Sequence, residues 1–344
     1  MKRVYFFIII ILLSASSLFS QSAQKKPYVV LKFDDLTNGN WKNWKPITDL
    51  IIAKDVTCDC GIFVNSLNSG DEEYMKFVKS LLDDPKHFGI WLHGYTGDAK
   101  EFFESDYATQ LEHFRLCRTV MLNKFDYILR NYGPHYFGGN DFTTKIINED
   151  PFLKGWIFQQ PKNKDGSTAT LPSKQVMPQR IVNMEPATAV VKFNILNSGW
   201  NRYKADTLRF VVLQGHPWGY RTDSLKDEFL KVVDALKVKG VTFTHFRDYD
   251  KIVKGYSTDK TAPSVPGNLK ANKVDGSHVN LSWTASKDAE SGVDCYKIYR
   301  DGICIELSAT TSFTDEITGS HKYQVSAVNN NDLVSVKTAV VTSK

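Results

Sequence analysis

From residue 28 to residue 245 the chain alternates short apolar runs with amphipathic helical periods, and that alternation restricts it to an α/β architecture. The runs at 28–33, 61–64, 89–92, 136–138, 156–159, 189–195, 208–214 and 241–245 read as strands. Between them, residues 108–125 place Leu111, Phe114, Cys117, Val120 or Met121, and Phe125 on one helical face. A second helix is predicted after Asp223 and Ser224, which can cap it, with Leu225, Phe229, Val232, Val233 and Leu236 facing in and Gly240 as its stop. Strand and helix repeating over about 230 residues predict a (β/α) barrel. Residues 161–186 are polar and aperiodic, and read as a long loop or lid.

The two ends of the chain have a different character. Met1-Lys2-Arg3 leads into an apolar run, 4–13, and then into small and polar residues, the pattern of a secretory signal peptide over 1–21. The apolar run is short of the roughly 20 residues a membrane span needs, so the mature chain is expected outside the cytoplasm, secreted or periplasmic, with no membrane span. Losing Lys2 and Arg3 lowers the formal charge from +5 to +3, too weak and dispersed to suggest a nucleic-acid partner. Five cysteines cannot all pair, and Cys58-Asp59-Cys60 lacks the usual metal spacing, so free thiols are expected. Residues 256–267 hold Pro263, Pro266 and Gly267 and read as a linker. Beyond it come about seven short alternating runs, two of them joined at Asp301-Gly302, a hairpin signal, and these predict an antiparallel sandwich over 268–344.

Candidate chemistry lies where apolar runs stop. The first stops at Asp34-Asp35, the third at His93 and the late one at His216. Neighbouring residues on a strand face opposite ways, so one carboxylate could hold a metal while the other takes a proton. Imidazole and carboxylate together suit zinc or another divalent first-row metal. The other histidines, His87, His113, His135 and His245, sit in weaker contexts.

The segments Leu31-Lys-Phe33-Asp34-Asp35, Trp91-Leu-His93-Gly94-Tyr95 and Leu213-Gln-Gly-His216-Pro217 resemble, in order, the first, second and last motifs of the polysaccharide deacetylases, the NodB-homology carbohydrate esterases. The resemblance covers residues 27–255 and implies a deformed (β/α) barrel that binds a divalent metal, usually zinc, and removes acetyl groups from sugars. It implies Asp34 as general base, Asp35 and His93 as metal ligands, and His216 as the acid that protonates the leaving group. Two departures stand out. A second histidine usually follows four residues after the first, where this chain has Gly97, and Asp98 is the nearest substitute ligand. The third motif, usually Arg-x-Pro, is replaced by Tyr136-Phe-Gly-Gly-Asn140-Asp141, in which Asn140 could bind substrate. Trp41, Trp44, Tyr95, Trp218 and Tyr220 are candidate sugar-stacking aromatics, Trp218 and Tyr95 foremost.

Residues 268–344 resemble a fibronectin type III domain, through Pro266 with Leu269, Trp283, Tyr296-Lys-Ile-Tyr299-Arg-Asp-Gly302 and Tyr323-Gln-Val-Ser-Ala327. That resemblance implies a spacer or adhesion module, with Trp283 and Tyr323 as core residues. The expectation for the whole is a secreted metal-dependent hydrolase that deacetylates an N- or O-acetylated carbohydrate. The alternative is a catalytically impaired barrel that binds carbohydrate or serves structurally.

Overall fold

The computed structural model describes residues 28–157, 163–176, 181–184 and 210–343. The predicted signal peptide and the 189–195 run lie outside them. In chain order the first part runs β1 (Tyr28–Leu36), α1 (Lys45–Lys54), β2 (Cys58–Phe63), α2 (Glu72–Leu82), β3 (Phe88–Gly94), α3 (Tyr107–Phe125), β4 (Asn131–Tyr132), α4 (Asp141–Glu149), β5 (Gly155–Trp156), β6 (Gln175–Val176), β7 (Ile181–Asn183), β8 (Phe210–Gly215), α5 (Asp223–Val238), β9 (Thr242–Phe243) and α6 (Phe246–Lys254). The strands form one nine-stranded parallel sheet in the order β6-β5-β4-β3-β2-β1-β8-β7, with β9 also paired to β1. The sheet curls into a deformed (β/α) barrel with a seam between β6 and β7, which do not pair among the described residues.

Buried side chains form on both faces of β1. Phe33 points outward, into a cluster with Trp44, Tyr220 and Phe229 beneath α1 and α5. Lys32 and Asp34 point into the barrel. The interior is closed by Trp91 of β3, which has room only because its neighbour is Gly61; a Cβ there would lie 2.3 Å from the indole. Gly61→Ala should therefore destabilise the chain by about 1–3 kcal/mol through overpacking, read as a lower urea midpoint at unchanged slope.

Helix ends follow local chemistry. Asp71 and Asp106 cap α2 and α3 by accepting from Tyr74 N–H (2.7 Å) and Thr109 N–H (2.8 Å). The cap of α5 is Thr222, one residue before the predicted Asp223 and Ser224, because its hydroxyl accepts from Leu225 N–H while Asp223 occupies the first turn. Two other expectations are corrected. The strand predicted at 136–138 is a single tight turn, His135–Phe137, and the actual strand is β4, five residues earlier. Polar Arg130 and Asn131 mask it in the sequence. The predicted lid contains β6 and β7, two short strands that form the rims of the seam.

After residue 266 come β10 (Gly267–Lys273), β11 (His278–Thr284), β12 (Val293–Arg300), β13 (Ile303–Ser308), β14 (Ser312–Glu316), β15 (Lys322–Asn329) and β16 (Val341–Thr342). They make two antiparallel sheets, β10-β11-β14 and β13-β12-β15-β16, around a core holding Trp283, Tyr296 and Tyr323. Asp301 (φ 50°) and Gly302 (φ 90°) form the tight turn between β12 and β13.

This all-β part packs on the barrel. Leu122 and Phe152 join Cys295, Tyr299, Cys304, Leu307 and Val328 in one apolar cluster. Around it, Arg130 pairs with Asp294 (2.9 Å) and Asp332 (2.8 Å), Lys251 with Asp332 (2.7 Å), and Lys297 with Asp126 (2.9 Å). Arg130 and Lys154 immediately precede β4 and β5, so the contact is at the N-terminal ends of the strands. All five cysteines are buried and free, and no helix among the described residues is long and apolar enough to cross a membrane.

Candidate metal centre

The opposite, C-terminal ends of the strands carry the histidines and carboxylates. The decisive local feature is the end of β1, where the register to β2 shifts between Phe33 and Leu36 and Asp35 takes a left-handed backbone (φ 71°). That conformation is strained for a residue with a Cβ. It breaks the strict alternation expected of neighbouring residues, and Asp35 turns toward the mouth next to the inward-facing Asp34. Asn40 secures the irregularity by donating to the Asp35 carbonyl and accepting from Thr37 N–H (3.0 Å).

Three imidazoles surround Asp35. His93 Nε2 is 3.3 Å from Oδ1, His135 Nε2 is 3.7 Å from Oδ1, and His216 Nε2 is 3.6 Å from Oδ2. Asp35, His93 and His135 bring ligand atoms within 4.8 Å of one another, close enough to share one metal ion. Burial works to raise the Asp35 carboxyl pKa, but His93 first, then His216 and His135, hold it below the usual carboxylate range. Burial, with the charge of His93, pushes the His135 imidazole below its ordinary value despite Asp35. A neutral imidazole is the form that ligates.

His93 is oriented for the same task. Its Nδ1 lies 2.8 Å from the Gly133 carbonyl oxygen, which can only accept, so Nδ1 donates there and Nε2 is the ring nitrogen left facing the space shared with Asp35 and His135. Its ring stacks on Phe63 (4.8 Å), and the His135 ring meets the edge of the same phenyl (4.9 Å).

The structure explains why position 97 holds no ligand. Gly97 has φ 78°, and a Cβ would lie 3.2 Å from the Phe63 ring. The loop is drawn in by Glu101, a buried carboxylate accepting from the N–H groups of Tyr95 (2.8 Å), Thr96 (3.0 Å) and Gly97 (3.3 Å), and contacting His113 Nδ1 (2.8 Å). Asp98, the expected substitute, is exposed and outside the ligand group; its carboxylate accepts from Lys100 N–H (2.9 Å) in an ordinary turn. His135, reaching in from the loop after β4, is the third member of the group that could hold a metal.

Of the other predicted site residues, Asp34 is buried and ion-paired with Lys32. Burial lowers the Lys32 pKa even against the pull of Asp34. Asn140 is not free for substrate: it caps α4, its Oδ1 accepting from Phe142 N–H (3.0 Å) and Thr143 N–H (3.2 Å) and its Nδ2 donating to Phe103 O (3.1 Å). Tyr95 is half-buried against His113. Trp218 is 49% exposed and stacks on His216 at 5.1 Å. Tyr136, in the run expected to form a strand, is 72% exposed beside the His135 ring at 4.1 Å. His135 itself was masked by that same misplaced strand: with β4 assigned to 131–132, it becomes a residue just past a strand end, the signal that identified His93 and His216.

No family model matches the chain. Partial sequence matches include an alpha-amylase from Niallia circulans (27% identical over 210 residues, 58% of this chain and 16% of that protein) and exoglucanase B from Cellulomonas fimi (37% over 100 residues, 28% and 9%). Another is the chitinase Chi52 from Paenibacillus xylanexedens (34% over 91 residues, 25% and 17%). The chain spans less than a fifth of the length of these curated relatives. Similar solved structures include a family 4 acetyl xylan esterase from Clostridium thermocellum, crystallised with cobalt (10% identity, 66% of this chain and 92% of that one, TM-score 0.46). A CE4 family pseudoenzyme from Bacillus anthracis is also similar (12% identity, 66% of each chain, TM-score 0.45). Likenesses at this level transfer no chemistry, so function has to be argued from the residues of this chain.

Proposed function

We propose that this chain is a secreted, metal-dependent hydrolase that removes acetyl groups from a carbohydrate, with zinc the preferred metal. The observation that carries the reading is the convergence of Asp35, His93 and His135 at the barrel mouth, with His216 also facing Asp35 and Asp34 the preceding residue of β1. The donor set fits a divalent ion. Asp35 Oδ1 is buried with no hydrogen-bond partner, an atom that a cation would satisfy, and one carboxylate with two imidazoles is a borderline set suited to zinc. Asp35, His93 and His135 would hold such a cation, and when bound it would supply Lewis-acid polarisation of the acetyl carbonyl. Asp34 then takes a proton from the attacking water, and His216 returns one to the leaving amine or alcohol.

Trp218 and Tyr136 are exposed aromatics resting on His216 and His135, and they offer two faces for sugar rings at the mouth. Trp218→Ala and Tyr136→Ala should each raise KM several-fold, up to about tenfold, with kcat little changed. The charge and apolar pattern of residues 1–21 supports secretion. The two antiparallel sheets support a fibronectin type III-like module over 268–344, fixed at the far end of the barrel from the mouth.

The test is acetate release by the zinc-loaded chain from an N-acetylated glucosamine oligosaccharide and an O-acetylated xylan oligosaccharide. Release that falls by about 10²–10⁴ in Asp34→Asn and in His216→Ala supports the reading. Zinc binding with no release from either substrate would turn the reading to a binding barrel without catalysis, and full activity in Asp34→Asn would remove it as the base.

A further inference from the structure

We propose that Lys32 is the positioning residue for the base, a fixed cation within the barrel that holds the Asp34 carboxylate in one orientation. The inference rests on Asp34 acting as the base. Lys32 is fully buried, and its ammonium contacts both carboxylate oxygens of Asp34. The two residues are two apart on β1, which puts them on the same face of one strand, and β1 is held on both sides by β2 and β8 with Lys32 opposite Asp59 and Gln214. The ammonium also lies 4.6 Å over the Trp91 ring, whose place is set by the missing side chain at Gly61. A cation lodged in this way cannot follow a wandering carboxylate; the carboxylate is held to it.

Stability alone does not account for the pair. A buried ion pair is often replaceable by apolar side chains without loss, because desolvation offsets its attraction. What apolar residues could not reproduce is direction. With both Asp34 oxygens held from within the barrel, the carboxylate has one orientation beside Asp35, whose own side chain is turned into the mouth by its left-handed backbone. The neighbouring carboxylates thereby keep separate tasks, one tied to Lys32 and one to the three imidazoles.

The experiment compares Lys32→Met, Lys32→Gln, Asp34→Asn and the Lys32→Met/Asp34→Asn double variant in the full chain. The readouts are acetate release from an N-acetylated glucosamine oligosaccharide and zinc binding by calorimetry. Lys32→Met is expected to lower kcat about 100-fold with KM within about twofold, the size of loss a misplaced catalytic group produces. Its zinc affinity is expected to stay within about threefold of the parent, since Lys32 is hydrogen-bonded to Asp34 and acts on Asp35 through its charge. In the double variant the loss should equal that of Asp34→Asn alone, because Lys32 acts through Asp34.

Lys32→Gln keeps a donor and removes the charge. It guards against Lys32→Met failing to fold, and should lose at least about tenfold in kcat. The inference is overturned if either folded single variant keeps parental kcat, if the losses multiply in the double variant, or if zinc affinity falls in step with activity. No acetate release by the parent at saturating zinc overturns the deacetylase reading and this inference with it; parental activity that survives both Lys32 substitutions overturns this inference alone.

Discussion

His135→Ala is expected to lose zinc affinity by more than about 100-fold, as Asp35→Ala and His93→Ala do, while Asp98→Ala binds zinc as the parent does. Residues that only support a ligand contribute about 10- to 100-fold to metal affinity, so removing a ligand from a three-residue site should exceed that range. His135 qualifies because its Nε2 faces Asp35 Oδ1 at 3.7 Å and its ring shares the Phe63 surface with His93. Asp98 does not, because its carboxylate is outside the group and engaged in its own turn. Calorimetric titration of each variant with zinc, at constant pH, gives the comparison. Gly97→His offers a sharper control: in the His135→Ala background it should fail to restore binding, since φ 78° and the Phe63 ring oppose any side chain there. Restored binding would show that position 97 can still serve the metal and that His135 is dispensable.

Arg130→Met should destabilise the chain by about 3–5 kcal/mol, the usual consequence of breaking a buried ion pair from one side. Arg130 and Asp294 have side chains only 5% and 6% exposed, at the junction between barrel and sandwich. Without the guanidinium, Asp294 retains Lys154 and Asp332 retains Lys251, so the loss lies toward the lower end of that range. Urea unfolding at neutral pH measures it, and a parent-like midpoint would exclude the network as a source of stability.

The same network makes acid a probe. Burial works to raise the Asp332 pKa, yet Arg130 and Lys251 hold it far below the usual carboxylate range. A carboxyl lowered on folding contributes stability that is complete above its unfolded value of about 3.9 and is lost as pH falls below it. The parent should therefore lose urea resistance more steeply than Asp332→Asn between about pH 4 and pH 2, and identical slopes would count against Asp332 as the titrating group.

These predictions differ in how much of their basis could be read along the chain. Asp34, Asp35, His93 and His216 were legible because each ends an apolar run, and such runs become strands whose ends meet in a parallel barrel. The hairpin at Asp301-Gly302 was legible for a similar reason, since few dipeptides accept positive φ at both positions. His135 was not, because a strand of only two residues with a polar start leaves no periodic trace. Lys32 stood in plain view within an apolar run, but nothing local says whether such a lysine emerges to solvent or pairs within the barrel.

The sequence by itself determined the architecture and half of the candidate centre: parallel strands with helices outside, a sandwich after residue 266, and carboxylates and histidines collected at one rim. Hydrophobic period and turn chemistry are local properties, so they survive reading in one dimension. Which residue completes the ligand set, which cation faces Asp34, and how the sandwich is attached were decided by the tertiary structure. Each depends on side chains far apart in sequence, Asp35 with His135 or Arg130 with Asp294 and Asp332, and on one left-handed residue at the end of β1, Asp35, whose carboxylate meets the three imidazoles.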